Sequence, residues 1–181
     1  MLKILSGKFK NTPFSLKNEK VKPTSTLIKK NIFNWIGNFI KNKICLDLFS
    51  GLGTLGFESV SRGAYKVILV EKNKIIYNFL KKIKKKLNIY NVFIYNLKAE
   101  DYLFKYKFEK FDIIFIDLPY NNFKYLYFFV KKCIFLTKKK SLIYIESYLN
   151  LYLLKNYFDS ILKIKKIGVI GKINFFLFEV I

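Results

Sequence analysis

The sequence predicts an α/β protein: a mainly parallel, seven-stranded sheet with an antiparallel last strand, preceded by a short hairpin and a helix. Three observations carry this. From residue 43 onward, apolar runs of strand length alternate with segments of helical periodicity, the pattern of a parallel sheet covered on both faces. A glycine-rich turn at 47–56 joins the first of these strands to the first of these helices. The last two runs, 161–167 and 173–180, have no helix between them and read as a hairpin around 168–172.

Taken in order, residues 1–21 read as a β-hairpin, with strands at 2–5 and 12–16 and a turn around Ser6-Gly7. Lys3, Lys8, Lys10, Lys17 and Lys20 stud it, which suits either a solvated arm or an RNA-gripping extension. Pro23-Thr24-Ser25 offers a helix start; Leu27, Ile28, Ile32, Phe33 and Trp35-Ile36 follow at helical spacing, and Gly37 suits the C-terminal cap. Strands are then expected at 43–48, 66–71, 91–95, 111–117 and 141–146, and helices at 53–62, 73–87, 122–135 and 149–157. In the helix at 73–87, Ile75, Ile76, Phe79, Leu80, Ile83 and Leu87 form a core stripe. Beside them Lys81, Lys82, Lys84, Lys85 and Lys86 form a solvated face and, secondarily, a phosphate-binding patch. No internal repeat, flexible linker or second domain is evident, so 1–181 reads as one domain, with 1–40 an extension and 41–181 the core.

Composition narrows the function. The 181 residues suffice for one sizeable core, and 52% of them are hydrophobic, which excludes general disorder. A formal charge of +22 points to a polyanionic partner. Arg62 is the single arginine, however, and Lys, Asn, Ile, Phe and Tyr share A/T-rich codons, so codon bias contributes to that charge. Histidine is absent, which removes the commonest metal ligand and general base, and no metal is expected. Cys45 and Cys133 lie far apart in apolar runs and read as reduced core thiols. No apolar run is long enough to span a bilayer and no secretory leader is evident, so a cytoplasmic protein is expected.

The turn at 47–56 is the first chemical motif. Its glycines, Gly51, Gly53 and Gly56, spell GxGxxG, which alone also fits a dinucleotide or an ordinary βα turn. Glu71, ending the next strand, stands where an acid meets a ribose diol. Asp47 argues against a dinucleotide, because an acid at the strand end repels a pyrophosphate and suits a cationic or amino-bearing ligand. The segment resembles motif I of methyltransferases that use S-adenosylmethionine, whose ligand carries a sulfonium and an amino acid end. That resemblance implies cofactor contacts from Asp47, Phe49, Gly51 and Gly53, with Glu71 on the ribose.

The second motif is Asp117-Leu118-Pro119-Tyr120, delivered by the apolar strand at 111–117 to the edge that also carries Asp47 and Glu71. For Asp117 alone, a helix N-cap is the competing role. The tetrapeptide is similar to the (Asp/Asn)-Pro-Pro-(Tyr/Phe) motif of methyltransferases acting on exocyclic amines of bases. Such an amine is a poor nucleophile because its lone pair is delocalised into the ring. The Asp117 carboxylate and the Leu118 carbonyl can accept its two N–H bonds and favour a pyramidal nitrogen, while Tyr120 stacks on the base. Leu118 departs from the motif's first proline, and Pro119 still biases it towards an extended backbone.

Together with Leu5-Ser6-Gly7, Lys22-Pro23-Thr24, Phe33-Asn34-Trp35 and Tyr144-Ile145-Glu146-Ser147, these motifs resemble the RsmD family over nearly the whole chain. The resemblance implies a Rossmann-like class I fold and methyl transfer from S-adenosyl-L-methionine to N2 of a guanine in 16S ribosomal RNA. It also implies the small ribosomal subunit, or its assembly intermediate, as partner of a monomeric enzyme. Lys22 replaces a usual arginine, and Lys98-Ala99 stands where an Asp-Ala pair borders the adenine, so Ala99 joins the cofactor set, with Glu100 and Asp101 the nearest acids. An adenine-N6 methyltransferase and a non-catalytic RNA-binding protein of the same fold remain the alternatives; a nicotinamide-dependent dehydrogenase is disfavoured by Asp47 and the lack of an acid–base pair.

Overall fold

A computed structural model describes residues 2–14, 25–106, 108–118 and 122–181, apart from the side chains of Leu2, Phe14 and Lys155. The short strands β1 (Leu2–Lys3) and β2 (Pro13–Phe14) pair antiparallel. Helix α1 (Thr26–Ile36) follows; the Ser25 hydroxyl accepts the Ile28 N–H at 3.1 Å, and Gly37 with φ 53° ends it, as the sequence predicts. A single 3-10 turn, Gly37–Ile40, leads into the sheet.

From there the elements are β3 (Ile44–Asp47), α2 (Thr54–Ser61), β4 (Lys66–Val70), α3 (Lys74–Lys86), β5 (Val92–Tyr95), α4 (Ala99–Lys105), β6 (Phe111–Asp117), α5 (Phe123–Phe135), β7 (Thr137–Ser147), α6 (Tyr152–Phe158), β8 (Leu162–Ile170) and β9 (Ile173–Val180). The seven strands β3 to β9 form one sheet in the order β5-β4-β3-β6-β7-β9-β8. Pairs among β3 to β7 are parallel, and β9 runs antiparallel to both its neighbours. The central strands β3, β4 and β6 are buried on both faces, which is why they read as unbroken apolar runs.

Two cores sandwich the sheet. Ile28, Ile32 and Phe33 of α1, Leu55 and Phe57 of α2 and Ile76, Phe79, Leu80 and Ile83 of α3 cover one face. Tyr102 and Leu103 of α4, Leu126, Phe129 and Cys133 of α5 and Leu154 and Phe158 of α6 cover the other. Both cysteines are free and buried, and burial pushes their thiols well up, so they are core-filling groups.

Three elements differ from the sequence expectation. Helix α4 went unread because it is short, has no side-chain cap at Lys98 and buries only Ala99, Tyr102 and Leu103. Strand β7 begins at Thr137, four residues before the expected start, because its polar opening pairs with Phe111 across a register shift. Ser141 Oγ donates to the Phe111 carbonyl at 2.9 Å and accepts the Lys138 N–H at 2.9 Å, holding that irregular stretch in place. The last hairpin turns at Gly171-Lys172, so Gly168 lies inside β8 rather than in the turn.

The N-terminal arm is tied to α2 by a buried acid that sequence reasoning missed. Glu58 accepts the backbone N–H groups of Leu5 at 2.7 Å and Ser6 at 3.0 Å. It also meets Arg62 Nε at 2.8 Å and Lys29 Nζ at 3.6 Å. Ser61 adds three bonds: its hydroxyl donates to Ser6 O and accepts the Phe9 N–H, and its carbonyl accepts the Lys8 N–H. One end of α2 therefore anchors the arm, while the other opens the glycine turn.

Candidate active site

The ends of four adjacent strands build the site. Asp47 ends β3, where it sits in register with Leu69 of β4 and Phe115 of β6, and Phe115 in turn faces Tyr144 of β7. Because side chains alternate faces, Asp117, two residues beyond Phe115, shares the Asp47 face, and so does Glu146, its partner in β7. Glu71, two residues beyond Leu69, continues the same row; its N–H extends the ladder to Tyr95 O at 3.0 Å. The α1–α3 face of the sheet thus carries four carboxylates along its C-terminal edge, where ligands bind in open α/β sheets. The sequence expectation brought three of them there; Glu146 joins through strand pairing.

Local hydrogen bonds shape the turn after β3. Ser50 Oγ donates to Asp47 O at 2.8 Å, and the Ser50 N–H donates to Val70 O at 3.0 Å. Gly53, with φ 73°, caps α2 in the left-handed region that side chains avoid. Its N–H donates to Ser50 O at 2.6 Å. A Cβ on Gly56 would stand 2.1 Å from Leu69 and 3.4 Å from the Asp47 carboxylate, so only glycine lets α2 lie this close to the strands. The Gly56 N–H donates to Asp47 Oδ2 at 3.1 Å.

Glu71 holds two backbone groups with its two carboxylate oxygens. Its Oε2 accepts the Gly51 N–H at 2.9 Å and its Oε1 the Asn73 N–H at 2.7 Å. Asn73 in turn caps α3, and Asn96 holds the Glu71 carbonyl with its side-chain amide at 2.9 Å. One carboxylate therefore fixes the glycine turn against the next helix.

Asp47 is 2% exposed. Burial pushes its carboxyl up to about 8; the Gly56 bond works the other way, and the charges of Asp117 and Glu71 raise it further. A buried acid surrounded by acids is a site prepared for a cation. This donor set fits the sulfonium and ammonium of S-adenosylmethionine and opposes a pyrophosphate.

Three other expected residues have side chains on the second core. The Phe49 ring packs edge-on to Phe129, 4.9 Å between centroids, on the second core. Ala99 opens α4 and is buried in the same core. The Leu118 side chain, 6% exposed, also points there, leaving its backbone beside Asp117. Pro119 and Tyr120 lie outside the described residues, as do Lys17, Lys20 and Lys22-Pro23-Thr24 of the extension. Among the described residues, no group of three His, Cys, Asp or Glu side chains could hold a metal ion, and no helix is long and apolar enough to cross a membrane.

A family model described as conserved hypothetical protein 95 matches residues 2–173. The ribosomal RNA small subunit methyltransferase D of Buchnera aphidicola (from Acyrthosiphon pisum) is 42% identical over 150 residues, 79% of this chain and 76% of that protein. The chain belongs to the RsmD family. The Haemophilus influenzae protein of the same name is 33% identical over 124 residues, 66% of this chain and just under two thirds, 64%, of its own length. A solved structure from Haemophilus influenzae superposes with TM-score 0.80 at 26% identity, covering 99% of this chain and 98% of that one. The fold is the Rossmann-like class I methyltransferase fold, and the RsmD family uses S-adenosylmethionine, the ligand for which the acid row is suited.

Proposed function

We propose that this RsmD-family enzyme methylates N2 of one guanine in 16S ribosomal RNA, acting in the cytoplasm as a monomer on the small subunit or its assembly intermediate. The observation that carries this reading is Asp117 at the end of β6, on the same face as Asp47 and followed by the Leu118 backbone. When bound, S-adenosylmethionine supplies an electrophilic methyl group and takes the electron pair of the broken C–S bond.

The chain's own residues do the rest. Asp47 and the backbone around Gly51 and Gly53 receive the methionine end, and Glu71 receives the ribose. The Asp117 carboxylate and the Leu118 carbonyl accept the two N–H bonds of the target amine, turning its lone pair out of the ring. Asp117 also stands where it can take the proton that the nitrogen sheds. Tyr120 stacks on the base, a contact of about 1–3 kcal/mol. Positioning then supplies most of the rate, since neither a metal nor a covalent enzyme intermediate is needed. Residues 1–40 form an RNA-contacting extension on the 41–181 catalytic core.

Mass spectrometry of ribosomal RNA nucleosides from cells with and without the protein tests the reading. N2-methylguanosine at one 16S position should appear only with the protein. Methylation at adenine N6 instead would make it an adenine enzyme, and RNA binding without any methylation would make it a binding protein.

A further inference from the structure

Glu146 has no part in the proposed transfer, yet it stands beside Asp117. The two are in register on neighbouring strands, on one face, at the edge where the amine must come. Glu146 is 7% exposed and accepts the Tyr144 hydroxyl at Oε2, 2.9 Å away. Tyr144 is fully buried; burial first, then the charges of Glu146 and Asp117, hold its hydroxyl well above the ordinary phenol range, so it stays a proton donor. A carboxylate offers about four lone-pair directions, and the Tyr144 hydroxyl takes one of them and helps fix its rotamer. On its other side Glu146 pairs with Phe175, whose ring lies over Gly168 and stacks on Trp35 with centroids 5.2 Å apart. The next side chain from Asp117 is thus an oriented acid backed by an aromatic wall.

Base chemistry gives this placement a use. On guanine, the 2-amino group is flanked by the acceptor N3 on one side, and on the other side the ring position is N1–H, a donor. On adenine, the ring nitrogen next to the 6-amino group is a lone-pair acceptor. A carboxylate beside the amine-holding Asp117 attracts the first and repels the second. We propose that Glu146 is the residue that reads the target base as guanine, accepting its N1–H while Asp117 and the Leu118 carbonyl hold N2, with Tyr144 as the positioning residue that orients Glu146. This rests on the guanine-N2 reading above and adds how the same motif is restricted to one base. Rejection is the stronger half, because a wrong base leaves the buried acid facing a lone pair.

The test uses small-subunit particles reconstituted with 16S RNA that carries either guanine or 2-aminopurine at the methylated position. 2-Aminopurine keeps the amine but presents an acceptor at N1. Single-turnover transfer by the wild type should favour guanine by at least about tenfold, the discrimination one good base-edge contact provides. Glu146→Gln, whose amide can donate to that acceptor, should slow on guanine and gain on 2-aminopurine, with cofactor affinity by calorimetry unchanged. Tyr144→Phe should narrow the ratio without reversing it. Equal slowing of Glu146→Gln on both templates would make the residue structural and overturn the proposal. So would a wild type indifferent to the two bases, a comparison that needs no variant to fold. A wild type that leaves guanine N2 unmethylated removes the function reading itself, seen in the product nucleosides before any variant is made.

Discussion

Lys29 of α1 and Glu58 of α2 face each other across 3.6 Å with both side chains fully buried, and the lysine also donates to the Lys3 carbonyl at 2.6 Å. Burial lowers the Lys29 pKa, and the neighbouring Glu58 charge acts in the opposite direction. The pair joins three separate stretches of chain: arm, first helix and the helix of the glycine turn. Removing one partner strands the other charge in the core. Glu58→Ala should therefore destabilise the protein by about 3–5 kcal/mol. It should also free the arm, so that limited proteolysis cuts within residues 2–14 before the sheet unfolds. Denaturant melts and cleavage mapping check both outcomes.

Asp47, in its proposed place at the cofactor, should make stability and cofactor binding depend on pH in opposite directions. Its folded-state pKa, about 8, lies above the ordinary carboxylate value of 3.8. Its contribution to stability is therefore complete below the unfolded value and is lost as pH rises towards 8. A cation in the site favours the ionised acid, so S-adenosylmethionine affinity should increase over the same range. Asp47→Asn can still accept the Gly56 N–H. It should raise the melting temperature of the ligand-free protein at pH 8 and reduce the shift that the cofactor produces. Thermal melts at pH 6 and pH 8, with and without S-adenosylmethionine, measure this.

Asp117→Ala should leave S-adenosylmethionine binding within a few-fold of wild type, because the proposed methionine and ribose contacts lie on other strands, while kcat for methyl transfer collapses. Loss of an interaction made only at the transition state has that signature. Single-turnover rates alongside calorimetry separate the two effects.

Leu118→Pro tests the departure from the family motif. Proline fixes the backbone of the carbonyl proposed to accept the amine, so turnover should equal or exceed wild type. The buried Leu118 side chain is part of the second core, however, and its loss should lower the melting temperature. Faster chemistry on a less stable protein is the expected combination.

RNA affinity should fall linearly with salt on a log–log plot. Lys81, Lys82, Lys85 and Lys86 are exposed on α3. Changing all four to glutamine should flatten the slope by up to about 3–4 if each neutralises a phosphate. An unchanged slope would assign those lysines to solvation alone and turn the search for RNA contacts to the other lysines, those of the arm first.

Much of this protein is legible in one dimension. Apolar runs with period two or none, helical stripes and the absence of a helix between the last two runs are local properties, and they determine the alternation and the reversed last strand. The positions of Asp47, Glu71 and Asp117 at strand ends follow from the same runs, because a parallel sheet brings its C-terminal ends together. Face and partnership do not follow. Whether Glu146 or the Phe49 ring reaches the Asp47 row depends on strand order, register and pleat, which only pairing between distant segments sets. Glu58 looks like any helix-surface acid in the sequence; only the packed arm and Lys29 turn it into a buried anchor. Glu71 reads as a ribose ligand from its spacing alone, whereas its hold on Gly51 and Asn73 needs both neighbours to fold back onto it. Periodicity is carried by neighbours along the chain, but hydrogen-bond partners and desolvation come from residues far apart in it, so the tertiary structure alone decided how deeply each acid is buried and what it bonds.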